Sequence, residues 1–206
     1  MILRLFSFLF IISLNFACSK NDKIDLEKSK ANPYEIYKEA IQSFERNDFF
    51  YANKKFKEAE INFKIVEYAS KSAIMGCYSL YAINFYIEAE SCLEDFLRRY
   101  PASEHAVYAK YLSTLVQFEQ ISDEDKDLGP LIKAKDKIEK FLIEYPNTDY
   151  AIDLQFKKDL IQNQLAAKEM YLARYYIKVK KWVPAINRLK KVVEEFDQTI
   201  FIEEAL

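Results

Sequence analysis

A small residue followed at fixed offsets by large apolar ones recurs four times in this chain, and that recurrence limits the fold more than any other feature. The plainest copy lies in 171–196, YLARYYIKVKKWVPAINRLKKVVEEF. Counting from Ala185, apolar residues follow at +4 (Leu189), +7 and +8 (Val192, Val193) and +11 (Phe196), one face of a helix of period 3.6. Ala173 stands twelve positions earlier, which places it on a preceding helix that meets the second at a corner near Lys181-Trp182. Pro184 falls in the first turn of that second helix, where a missing N–H costs nothing.

The same offsets appear upstream. Ala134 is followed by Ile138, Phe141, Leu142 and Tyr145, and Ala89 by Leu93, Phe96, Leu97 and Tyr100, each copy ending in a proline at +12, Pro146 and Pro101. Ala52 leads Phe56, Ala59 and Phe63, with Ala40 twelve before it, as Cys77 is twelve before Ala89. A small side chain on one helix lets the next approach closely, and the large residues one and two turns on fill the groove between neighbouring pairs. Four copies in register predict an all-α fold, a tetratricopeptide-type solenoid of helical hairpins stacked in a right-handed superhelix.

Composition excludes much else. Only two glycines occur, Gly76 and Gly129, so a phosphate-binding glycine loop cannot be written on this chain, and so few turn residues argue against a β-sandwich. Thirty basic and 32 acidic residues leave a net charge of −2, which argues against nucleic acid as a partner. His105 is the one histidine, near a helix start, and the carboxylates interleave with lysines at helical spacing as on a solvated face. No catalytic constellation, metal site or cofactor motif emerges, and the chain reads as a non-enzyme.

Taken in order, residues 1–17 carry Arg4 and an apolar run from Leu5 to Leu14, too short to span a bilayer and read as a signal peptide of lipoprotein type. Cys18 follows a small residue, as at a lipobox, although Asn15 stands where leucine is usual; the alternative is an ordinary signal peptide with an incidental cysteine. Cys18 is the expected lipidation site, and 18–32 a polar tether. Four helix pairs are expected over 33–197: 34–46 with 50–68, 70–84 with 85–100, 103–121 with 130–145, and a long helix 149–179 with the helix after Trp182. Cys77 and Cys92 fall about equally far from the turn near Asn84. A bridge is conceivable, but Cys92 is placed on the wrong helical face and Cys77 is read as the small residue of its repeat. Asp123, Asp125 and Asp127 lack the glycine and glutamate of a calcium loop. Residues 198–206 start a further helix and stop, as in a truncated fifth repeat.

Four stretches together resemble the BamD (ComL) family of outer-membrane assembly lipoproteins: Glu35-Ile36-Tyr37, AESCLEDFLRRYPASEHAVYAKY at 89–111, EYPNTDYA at 144–151, and above all YYIKVKKWVPAINRLKKVVEEF at 175–196. Asp197, where that family has proline after Phe196, and the irregular lipobox depart from the pattern. The resemblance implies a lipid-anchored scaffold on the periplasmic face of the outer membrane. It would bind the periplasmic POTRA repeats of BamA through its C-terminal repeats, associate with other Bam lipoproteins and receive unfolded β-barrel precursors on its N-terminal ones. Carried onto this sequence, Arg188 is the first candidate for the BamA contact, since a guanidinium fork suits a carboxylate. Trp182 and Asn187 follow, tryptophan at a corner being as often packing as interface. Tyr37, Phe44, Tyr78, Tyr81 and Tyr108 are candidates for a precursor groove on the first helices, each of which could equally be core. A different reading keeps the fold but makes the chain a periplasmic adaptor for cell-wall or cell-division enzymes.

Overall fold

The repeat offsets reappear as a stack of antiparallel helices in the computed structural model, which describes residues 32–121 and 128–206. Among the described residues there are nine helices and no strand: α1 (Pro33–Glu45), α2 (Phe49–Asn62), α3 (Val66–Ala82), α4 (Tyr86–Arg99), α5 (Ala106–Glu119), α6 (Gly129–Glu144), α7 (Asp149–Lys178), α8 (Trp182–Glu195) and a short α9 (Ile202–Ala205). Each helix packs on the next in sequence, and α3 also meets α5, the first helix of the following pair. The signal, Cys18, the tether up to Ala31 and the aspartates at 123–127 lie outside the described residues.

Burial follows the template. The crossing residues Ala52, Ala89, Ala134 and Ala185 are buried, as are Ala40, Cys77 and Ala173 twelve positions earlier. Phe56, Leu93 and Ile138 at +4 and Ala59, Phe96, Phe141 and Val192 at +7 fill the space between helices. A methyl-sized side chain at the crossing brings two backbones together, and the bulky residues then interdigitate at crystal-like density.

The corners repeat as well. Asn47, Asn84 and Lys180 have φ of 62°, 61° and 58°, and each donates its N–H to a carbonyl three residues back, Phe44, Tyr81 and Ile177, at 2.9 Å. The next residue in each corner donates across the turn, Asp48 to Ser43, Phe85 to Leu80 and Lys181 to Tyr176, at 2.9–3.0 Å. This is a Schellman closure, which satisfies the last carbonyls of the first helix and reverses the chain.

The opposite end is also regular. Residues at +11, Phe63, Tyr100, Tyr145 and Phe196, terminate the second helices, each still donating to the carbonyl four back. Three positions later a hydroxyl closes three of the junctions: Ser103 accepts from the His105 N–H at 3.2 Å, Thr148 from the Ala151 N–H at 3.3 Å, and Thr199 donates to the Phe196 carbonyl at 2.7 Å. The +11 stop corrects the expected extent of the first pair. Helix α2 ends at Asn62 rather than at 68, Phe63 is extended (φ −68°, ψ 130°), and Tyr68 belongs to α3, which begins at Val66 rather than at 70.

The two cysteines are joined. Cys77 and Cys92 form a disulfide with Cα atoms 5.4 Å apart, contrary to the expectation from helical facing. The physical reason is the +3 register. Three residues after its crossing alanine, a second helix turns a side chain back toward the first helix of its own pair. Lys55 uses that place for an ion pair with Glu39 (3.0 Å) and Arg188 for one with Glu169 (2.9 Å), while Cys92 makes a covalent bond. Lys137, at the same position in the third pair, reaches Glu90 on α4 instead (2.5 Å).

Candidate functional site

The first helices carry a run of half-buried aromatic rings. Phe44 of α1 lies 5.7 Å, centroid to centroid, from Tyr78 of α3; Tyr78 lies 6.0 Å from Tyr81, and Tyr81 6.1 Å from Tyr86 at the start of α4. Tyr108 and Tyr111 of α5 both meet Tyr150 of α7, at 5.8 and 4.6 Å, the latter stacked at 23°. Of the five residues expected to line a groove, ring contacts join Phe44, Tyr78 and Tyr81, while Tyr108 belongs to a second group with Tyr111 and Tyr150. Tyr37 packs within the first pair, against Phe56 (5.5 Å) and Phe63 (6.2 Å), and shares Phe56 with Phe44 (6.3 Å).

Sequence reasoning missed Tyr86, Tyr111 and Tyr150. Tyr111 was legible as the residue three after Tyr108 on one helix face, whereas Tyr150 joins only because α7 starts against α5. Asp153 fixes one ring by accepting the Tyr111 hydroxyl at 2.9 Å. The hydroxyls of Tyr78, Tyr81, Tyr108 and Tyr150 have no hydrogen-bond partner among the described residues, and none of them is a sealed, unsatisfied group. Burial, with Glu119 and neighbouring tyrosines adding to it, pushes the Tyr81 hydroxyl up to about 12, and burial raises Tyr108 and Tyr111 as well. Tyr81, Tyr108 and Tyr111 are therefore neutral through the physiological range. Amphipathic rings with open hydroxyls can pack on side chains and donate to backbone carbonyls of an extended chain without reading its sequence.

A second surface lies at the other end of the stack. Trp182 opens α8 with 59% of its surface exposed, and Val183, Ile186 and Asn187 are exposed within the first two turns, as are Tyr175 and Val179 ahead of the corner. Neither Trp182 nor Asn187 has a hydrogen-bond partner among the described residues. Arg188 differs. Its Nη1 donates to Oε2 of Glu169 at 2.9 Å while Lys191 Nζ donates to Oε1 at 2.7 Å. Glu169 is buried, which alone would raise its pKa; the two cations outweigh that and hold it below the usual glutamate value. Of the three residues expected at a partner contact, two stand free on the surface and one is held from inside. Trp182 thus has most of its surface open on its corner.

Among the described residues no group of three or more metal-ligating side chains converges, and no helix is long and apolar enough to cross a membrane.

Comparison with known proteins follows the same lines. The sequence model of the YfiO family, described as outer membrane lipoprotein, matches residues 29–206. An outer membrane protein assembly factor BamD from Caulobacter vibrioides is 34% identical over 171 residues, 83% of this chain and 56% of that protein. The BamD of Rickettsia prowazekii is 32% identical over 205 residues, 98% of this chain and 80% of its own length, and that of Neisseria gonorrhoeae is 26% identical over 181 residues, 83% and 68%. The chain thus spans little more than half of the Caulobacter relative. With a family match that runs through all four helix pairs and a relative alike over nearly the whole sequence, this chain belongs to the BamD family of outer-membrane lipoproteins.

Proposed function

We propose that this protein is a non-enzymatic scaffold of outer-membrane β-barrel assembly, anchored through an acylated Cys18 on the periplasmic face. In this reading the exposed α8 surface around Trp182 and Asn187 binds the POTRA region of BamA. The tyrosine layer from Phe44 to Tyr150 holds unfolded barrel precursors before insertion. Membership of the BamD family carries the reading, since the curated relatives are named as assembly factors. The two surfaces supply what such a role needs. One is exposed, largely apolar and in the last helix pair; the other is aromatic, rich in open hydroxyls and carried mainly on successive first helices. A disulfide inside the second pair also accords with an oxidising compartment.

The test is site-specific photocrosslinking in intact cells. A probe at Tyr81 or Tyr108 is expected to capture barrel precursors, and one at Asn187 to capture BamA. Adducts dominated by cell-wall or division enzymes would support the adaptor reading and reject this one.

A further inference from the structure

The repeat contains a place where its own rule fails. At +12 to +14 from the crossing alanine, three junctions read Pro101-Ala102-Ser103, Pro146-Asn147-Thr148 and Asp197-Gln198-Thr199, each with a hydroxyl that closes the turn. The first junction reads Lys64-Ile65-Val66, and α3 starts without a side-chain cap. Ile65 and Val66 are 51% and 68% exposed, and Ile61 beside them 83%. Tyr34 and Tyr68 stand half in solvent over the same junction, packed on Phe63 and each other at 5.1–5.6 Å. Lys64 is exposed and has no ion-pair partner among the described residues. A capping hydroxyl has given way to a corner of branched aliphatics, ringed by tyrosines and carrying a lysine.

That combination has a chemical match. Tyrosines favour the boundary between headgroups and acyl chains, aliphatic side chains insert beneath them, and a free lysine pairs with anionic phosphates. The corner also sits where the described chain begins: Tyr34 is in the first turn of α1, and Asn32 is fourteen residues after Cys18. Fourteen residues reach at most ~50 Å when fully extended, so a lipid anchor at Cys18 would leave this corner within reach of the leaflet that carries it.

We infer that the α2–α3 corner, Tyr34, Ile61, Lys64, Ile65, Val66 and Tyr68, is a membrane-interface contact that seats the first helix pair on the bilayer. The occupant is the lipid surface. This rests on the lipoprotein reading for its setting, while the contact itself belongs to the corner and does not require the acyl chains.

The experiment uses the full mature chain with Cys18→Ser, which removes acylation, mixed with phosphatidylethanolamine–phosphatidylglycerol vesicles and, separately, with phosphatidylcholine vesicles. Amide exchange over 61–68 is expected to slow on the anionic vesicles, with no change at the 83–85 corner. Replacing Ile65 and Val66 together by Glu is expected to lower vesicle partitioning about tenfold or more. Ile143→Glu, an equally exposed isoleucine at the register of Ile61, is expected to leave it unchanged. Retained helical circular dichroism shows that the double variant is folded. Unaltered exchange over 61–68, or partitioning indifferent to the double variant, overturns the inference. So does slowing of 61–68 by barrel-precursor peptides without lipid, which would make the corner a protein-docking surface. The mass of the mature wild-type N-terminus tests acylation by itself, so failure of the anchor and failure of the contact are read separately.

Discussion

Arg188 Nη1 lies 2.9 Å from Oε2 of Glu169, so the arginine that family resemblance puts at a partner contact is also the tie between α7 and α8. Lys55 makes the corresponding tie in the first pair, with Glu39 at 3.0 Å. A change at Arg188 therefore acts on folding before it acts on any partner. Arg188→Ala leaves Lys191 on the carboxylate and is expected to cost about 1–2 kcal/mol. Arg188→Glu puts a second carboxylate beside a buried one and is expected to cost about 3 kcal/mol or more. Urea denaturation of the two variants checks this; equal midpoints for wild type and Arg188→Glu would show that the pair carries no stability.

The same carboxylate gives a pH dependence. Glu169 is held below its usual 4.5 in the folded chain. Its contribution is therefore present above about pH 4.5 and is lost as pH falls through the lower, folded value. Glu169→Gln is expected to lower stability at neutral pH and to flatten the acid limb of the stability profile. A variant whose profile parallels wild type between pH 3 and 6, on the order of that window, would remove Glu169 from the account.

The Cys77–Cys92 disulfide closes fifteen residues, for which chain entropy predicts about 3 kcal/mol. Reduction is expected to lower the denaturation midpoint by a corresponding amount, while Cys92→Ser shows the same loss and no further response to reductant. Thiol titration of the unfolded, unreduced protein is expected to leave both cysteines silent.

Lys180 occupies the left-handed corner position held by Asn47 and Asn84 in the first two pairs. Asparagine and glycine adopt that conformation with little strain, lysine less readily. Lys180→Gly or Lys180→Asn is expected to stabilise the chain by about 0.5–1 kcal/mol, a rise of ~1–4 °C in Tm. Lys180→Val is expected to do the reverse, and scanning calorimetry orders the three.

The parts of this fold that were legible in the sequence are those fixed by spacing. Ala52, Ala89, Ala134 and Ala185 announced the crossings because a close helix approach admits little else, and the burial of all four follows. What spacing alone concealed was direction. Cys92 looked misplaced because +3 was not recognised as a position facing the first helix, although Lys55 and Arg188 carried the same message in charge. The α2 terminus was overrun because neither a proline nor a capping hydroxyl marks Lys64-Ile65-Val66, where the other junctions carry Pro-Ala-Ser, Pro-Asn-Thr or Asp-Gln-Thr. The tyrosine layer was half visible. Tyr78, Tyr81 and Tyr108 could be placed on first helices, but the stacking of Tyr111 on Tyr150 depends on where α7 meets α5, a contact between residues 39 apart in sequence that no local pattern encodes.

The central claim is tested most directly by purifying the tagged chain from outer membranes and measuring BamA in the eluate, for wild type and for Trp182→Ala combined with Asn187→Asp. Both residues are exposed and free of internal partners, so the double variant is expected to keep its Tm while BamA recovery falls about tenfold or more. Full recovery of BamA by the folded double variant, or no BamA with the wild-type chain, would contradict the account.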